Sequence, residues 1–153
     1  MRIIVVGGSR FGIATLKHLL DKGHEAVLVD ESRERLDDIS DDVECGLIHG
    51  DGTLPSILRE AMGDGADALM MLTNHDEANI LGAAVGRSIG IERVVVQIIQ
   101  TQLLPICEEL GLEEVVMPHE TVARSIVSSL EDGDKTGEST KAKVETEDDE
   151  TEA

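Results

Sequence analysis

The first thirty residues leave few folds open to this chain. Arg2-Ile-Ile-Val-Val6 is an apolar run, Gly7-Gly-Ser-Arg-Phe-Gly12 follows at once, and Ile13 to Lys22 carries Ile13, Leu16, Leu19 and Leu20 on one helical face. Gly23-His24 interrupts the pattern, and Glu25-Ala-Val-Leu-Val29 is a second apolar run closed by Asp30. Strand, glycine turn, helix, strand and acid, in that order, is the layout of a dinucleotide-binding βαβ unit. In that layout Gly7 permits the tight turn off the first strand and Gly12 lets the helix approach the sheet. The helix N-terminus then points free N–H groups at a phosphate. At the tip of the second strand, the Asp30 carboxylate suits ribose hydroxyls and repels a 2′-phosphate, which disfavours NADP. Ser9 stands where the middle glycine usually lies. Its hydroxyl can bond a phosphate oxygen, or its side chain can crowd a dinucleotide and favour a mononucleotide. The plain alternative is that these glycines only make a tight βα turn.

The rest of the chain repeats the alternation. Glu31 to Ser40 reads as a short helix and Glu44 to His49 as strand three; Gly50-Asp-Gly-Thr53 is a turn leading to a helix that opens near Pro55. Ala66 to Leu72 is strand four, followed by a helix to Ser88. Arg93 to Ile98 is strand five, Leu103 to Leu110 a helix, Glu114 to Met117 strand six, and Thr121 to Leu130 a last helix. Apolar strands alternating with helices across short turns predict an α/β fold with both sheet faces covered. Right-handed crossovers give a Rossmann-type doubly wound parallel six-stranded sheet, order 3-2-1-4-5-6. A ligand then lies at the carboxyl ends of strands one and four, where Gly7–Gly12, Asp30, Asp51 and Thr73-Asn74 all follow strand ends.

Charge narrows the partners. The chain of 153 residues has net charge −19, and only Lys17 and Lys22 precede residue 131 among its lysines. Nucleic acid and anionic lipid are poor partners for such a surface. An acidic, lysine-poor surface also suits molar salt, where the Debye length falls to about 3 Å and self-repulsion is screened. A halophilic chain of this kind gains stability from low salt to several molar KCl; an unfolding midpoint that stays constant over that range refutes the reading. Residues 131–153 are rich in acids with Val144 their only large apolar residue, a composition expected to be disordered. Arg2 leads directly into a strand, so no signal peptide is expected, and no apolar run reaches membrane-spanning length. Cys45 and Cys107 have no metal-ligand spacing and read as buried thiols of a reducing cytoplasm.

Several stretches together resemble the TrkA-N domain of potassium-uptake regulators, also called the RCK or KTN domain. They are Ile3 to Gly12, Val29-Asp30 with Arg33-Glu-Arg35, His49-Gly-Asp-Gly-Thr53, Leu58-Arg-Glu-Ala61, Ala66 to Thr73 with Asp76-Glu-Ala-Asn79, and Glu114-Val-Val-Met-Pro118. The likeness covers residues 1–130, read as the nucleotide-binding domain, with 131–153 as an acidic tail. It implies a cytoplasmic regulatory subunit that binds NAD(H), or else ATP or ADP, and controls a membrane potassium transporter or channel. By motif position Gly7, Ser9, Arg10 and Gly12 hold phosphates, Asp30 the adenosine ribose, Asp51 and Thr53 the adenine, and Thr73 and Asn74 the far side. Gly8, Phe11, Glu31, Arg35, Gly52 and His75 complete the candidate cofactor-binding set, with no metal ligand in it. Two alternatives stay open from the residues themselves: Arg10 as a solvated helix-start arginine and Asp51 as a turn-making aspartate. The chain departs from the family at Gln97, where many members have a basic residue, and at His119, where many have a glutamate. The regulators' second small domain has no counterpart here, which reads as a stand-alone module or a fragment.

A dehydrogenase needs a substrate-binding region and an acid or base near its nicotinamide. Among His18, His24, His49, His75 and His119, only His75 follows strand four closely enough to approach a ligand, and a polar helix-start role suits it as well. With no Walker lysine or nucleophile elbow, a binding protein is expected rather than an enzyme. The alternative is a small NAD-dependent oxidoreductase subunit completed by a partner. In the last helix Val122, Ile126, Val127 and Leu130 share one face; the resemblance implies a homodimer through it, and packing on the same sheet is the plainer alternative.

Overall fold

The computed structural model describes residues 1–133; the acidic stretch read as disordered lies, from residue 134 on, outside them. Met1–His119 form one compact unit, and a second begins at Glu120. Six strands, β1 (Arg2–Val6), β2 (Glu25–Asp30), β3 (Gly46–His49), β4 (Ala68–Met71), β5 (Arg93–Gln97) and β6 (Glu114–Val116), form one parallel sheet of order β3-β2-β1-β4-β5-β6. The helices are α1 (Arg10–Asp21), α2 (Arg33–Ser40), α3 (Pro55–Met62), α4 (Asp76–Ser88), α5 (Leu104–Glu109) and α6 (Pro118–Glu131), with a 3-10 turn at Thr101–Leu103. This is the sheet order that right-handed crossovers predict.

The same rule fixes which face each helix covers. Along β1, Ile3 and Val5 face one way and Ile4 and Val6 the other, as a two-residue period requires. Ile3 and Val5 pack with Leu16 of α1 and with Leu36 and Ile39 of α2. Ile4 and Val6 join Leu58 and Ala61 of α3, Ile80 and Ala83 of α4, and Cys107 of α5. The chain winds outward from β1 to β3 with its helices on one face. It then returns to the centre through α3 and winds the other way on the second face, so β1 and β4 lie side by side and the chain leaves their carboxyl ends toward opposite faces. The gap left there positions the site.

Element starts differ from the sequence reading where a side chain does the capping. Helix α1 begins at Arg10 rather than Ile13, because the Ser9 hydroxyl accepts the Gly12 N–H and its backbone is extended. Helix α2 begins at Arg33, two residues late, because Ser32 accepts the Arg35 N–H. Before α3, the N–H and hydroxyl of Thr53 both donate to Asp51 Oδ1, and Leu54 takes the cap position without a side-chain bond. Helix α6 starts at Pro118, where a proline's fixed φ and missing N–H suit the first turn. Cys45 and Cys107 are free thiols, and burial pushes both above the ordinary thiol range. No described helix is long and apolar enough to cross a membrane.

Candidate functional site

The glycine turn is assembled by its own backbone and three side chains. Gly7 has φ +113°, a region open to glycine, and its N–H donates to Val29 O, tying the end of β1 to β2. Gly12 stands against the Gly7 carbonyl so closely that any Cβ there would overlap the oxygen. The Ser9 hydroxyl donates to Leu72 O at 3.1 Å and accepts from Gly12 N at 3.2 Å. Its only proton is therefore committed to the residue after β4, and its role here is to cap α1 and stitch the turn to the end of the neighbouring strand. Helix geometry leaves the first-turn N–H groups of Arg10 and Phe11 without intrahelical partners, which is the anion-attracting end of α1.

Asp30 closes the turn from the side. Its carboxylate is buried and accepts the Gly8 N–H at 2.6 Å and the Ser32 N–H at 2.7 Å, with the Arg35 guanidinium at 3.2 Å. Sequence placed the acid at the strand tip; the fold makes it the acceptor that holds the turn to the start of α2. Arg35 remains largely exposed, so this ion pair adds little to stability in water but keeps a cation beside the turn. Behind Asp30, His49 Nε2 lies 2.8 Å from Glu31 O and Arg33 lies 3.3 Å from Nδ1. A neutral ring donating from Nε2 and accepting at Nδ1 satisfies both contacts.

The opposite wall comes from β4 and β5. Asn79 is fully buried: its Oδ1 accepts from the Thr73 N–H and hydroxyl, and its Nδ2 donates to Thr73 O and Gln97 O. Asp76, also buried, accepts the N–H groups of Ile99 and Gln100. These two side chains in the first turn of α4 fasten the loops after β4 and β5 to each other.

Two cavities open between the walls. The first, of about 260 Å³, is lined by Gly7, Ser9, Asp30, Glu31, Ser32, Arg35 and the Thr73–His75 loop. The second, of about 570 Å³, is lined by Gly8, Ser9, Arg10, Phe11 and Arg35 on one side and by Asn74, Gln97, Ile99, Pro118 and His119 on the other. They share Ser9, Arg35 and Asn74, and so form one groove across the carboxyl ends of β2, β1, β4 and β5. Eleven of the fifteen sequence-selected residues line it: Gly7 to Phe11, Asp30, Glu31, Arg35 and Thr73 to His75; Gly12 closes the turn without reaching either cavity. Asp51, Gly52 and Thr53 line neither cavity. Asp51 folds back on Thr53 as a turn-former, the plainer of its two readings, and Gly52 is buried against Val6. Ser32, Gln97, Ile99, Pro118 and His119 line the groove without having been selected. Gln97 carried a signal, a polar residue ending the apolar run Val94-Val-Val96.

The comparisons with known proteins agree with this fold. The sequence profile of the TrkA-N domain matches residues 3–118. The chain belongs to the TrkA-N family. It is similar to the "Trk system potassium uptake protein trkA homolog 1" of Methanosarcina mazei, 29% identical over 129 residues, covering 82% of this chain but 32% of that protein. The TrkA-N chain thus spans about a third of that protein's length. Among solved structures, the NAD(P)-binding domain of an exopolyphosphatase-related protein from Archaeoglobus fulgidus superposes with a TM-score of 0.75 at 22% identity, over 85% of this chain and 97% of that one. The Kef C-terminal domain of Shewanella denitrificans, in its AMP-bound form, superposes with a TM-score of 0.74 at 15% identity, over 89% and 84%. These two likenesses establish the TrkA-N fold as Rossmann-like and no more.

Proposed function

We propose that this TrkA-N chain is a nucleotide-binding regulatory module of a potassium transporter or channel, taking NAD(H) or, as the alternative, ATP or ADP. One observation carries the proposal: a buried, hydrogen-bonded carboxylate, Asp30, faces the same groove as the capped glycine turn and the N-terminus of α1. A strand-tip carboxylate suits a ribose diol, and the helix N-terminus beside Arg10 and Arg35 suits a diphosphate. Such cations matter in a chain of net charge −19, which otherwise repels an anionic ligand. The ligands named for the Archaeoglobus and Shewanella domains support an adenine nucleotide, and the Methanosarcina relative supports a place in potassium uptake.

Regulation requires differential affinity: the nucleotide shifts an equilibrium between subunit arrangements only if it binds one of them better. The reading therefore includes a homodimer through α6, whose Val122, Ile126, Val127 and Leu130 are exposed. Light scattering is expected to give a dimer for the whole chain and a monomer for a chain ending at Pro118. An unchanged dimer for the shortened chain removes α6 from the interface. No chemical step is assigned to the groove.

The direct test is calorimetric titration of the chain in molar KCl with NADH, NAD, ATP and ADP. Saturable one-to-one binding of at least one of them is expected. Absence of binding by all four overturns the proposal and leaves an assembly role.

A further inference from the structure

Resting on the nucleotide reading above, we propose that Gln97 selects a dinucleotide over a mononucleotide by hydrogen-bonding the uncharged second nucleoside of the ligand. The residue ends β5 and lines the larger cavity, on the far side from Asp30. Its side chain is buried at 4% exposure, and Oε1 is enclosed with no hydrogen-bond partner among the described residues. An unpaired amide oxygen in such a place is costly, and a leucine would fill a similar volume without the cost. Slack in the strand does not explain it, because the Gln97 carbonyl accepts from Asn79 Nδ2 and its strand is paired with β6. The terminal carboxamide torsion is broad and roughly two-fold, so oxygen and nitrogen can exchange places to meet a ligand.

The surroundings decide what kind of group it meets. Arg10 and Arg35 lie on the glycine-turn side of the cavity, where the diphosphate belongs. Beyond them the wall is Asn74, Gln97, Ile99, Pro118 and His119, two amides and an imidazole beside hydrocarbon. Apart from the His119 ring, no ionisable side chain lines that side for a terminal phosphate to pair with. A nucleoside with ribose hydroxyls and a carboxamide offers donor and acceptor to Gln97 and a flat apolar face to Ile99. The joined cavities of about 260 and 570 Å³ give the two halves of such a dinucleotide separate seats.

The test compares NADH with ADP on the whole chain and on Gln97→Leu by calorimetry. For the native chain NADH is expected to bind about tenfold or more tighter than ADP; Gln97→Leu loses about tenfold for NADH and leaves ADP unchanged. Should the variant not fold, the native chain decides: the Gln97 side-chain amide signals in a nitrogen-15 spectrum shift with NADH and stay still with ADP. Equal affinity for the two ligands, or NADH binding that leaves those signals and the Gln97→Leu affinity unchanged, overturns the assignment while the nucleotide reading stands. Binding of neither ligand overturns both.

Discussion

Gly12→Ala is expected to lower the unfolding midpoint by on the order of 10 °C, a loss of about 3 kcal/mol. The added methyl would overlap the Gly7 carbonyl oxygen, and neither side can yield. Gly7 is held by its N–H bond to Val29 O, and α1 is held by Ser9, which accepts both the Ile13 N–H at its carbonyl and the Gly12 N–H at its hydroxyl. Relief means moving α1 off a sheet face where Leu16 is fully buried. Gly23→Ala is the control. Gly23 also has a positive φ, +81°, but a Cβ there meets nothing within 4 Å, so only the backbone term of about 1 kcal/mol applies. Thermal unfolding of the two variants side by side checks the argument; equal losses would show that close approach is not what Gly12 provides.

Asp30→Ala is expected to cost about 2–4 kcal/mol of stability, because it strips the acceptor from the Gly8 and Ser32 N–H groups. The Arg35 pair adds little to that figure, since the guanidinium is largely exposed. Asp30→Asn keeps one acceptor oxygen and is expected to lose about half as much. Binding separates differently. A neutral amide serves a ribose diol poorly, so both variants are expected to lose roughly a hundredfold in nucleotide affinity, about 2.7 kcal/mol. Denaturant unfolding gives the first pair of numbers and calorimetry the second. If affinity follows stability, with Asp30→Asn intermediate in both, Asp30 acts on the ligand only through the turn.

The sheet order was legible because apolar strands alternate with helices and crossover handedness leaves one winding for that alternation. Helix starts were less so: Ser9 and Ser32 cap α1 and α2 through bonds to residues three further on, and hydrophobic periodicity passes over such residues. The Asp30 half of the groove could be read from spacing, since Gly7, Gly12 and Asp30 belong to one local βαβ unit. Of the other half only Thr73 to His75, after strand four, could be read. Gln97 reaches the groove only because β5 lies next to β4, and Asn79 reaches Thr73 and Gln97 only because α4 folds back across both strands. Asp51 drew attention as an acid after a strand, and its Oδ1 accepts both the N–H and the hydroxyl of Thr53 in its own turn.

The outer strands have a bearing on solubility. Every open sheet ends in two rows of unsatisfied amides and carbonyls, which invite another chain to continue the ladder. Here those rows are short. β3 has four residues and begins with Gly46; β6 has three and begins with Glu114, which is held at 2.8 Å by Arg93 across the β5–β6 pair. A rim only about 10 Å long, with a charge at its entrance, is a poor template for strand addition. A sheet whose central strands are almost wholly aliphatic thus keeps its fibre-forming chemistry inside.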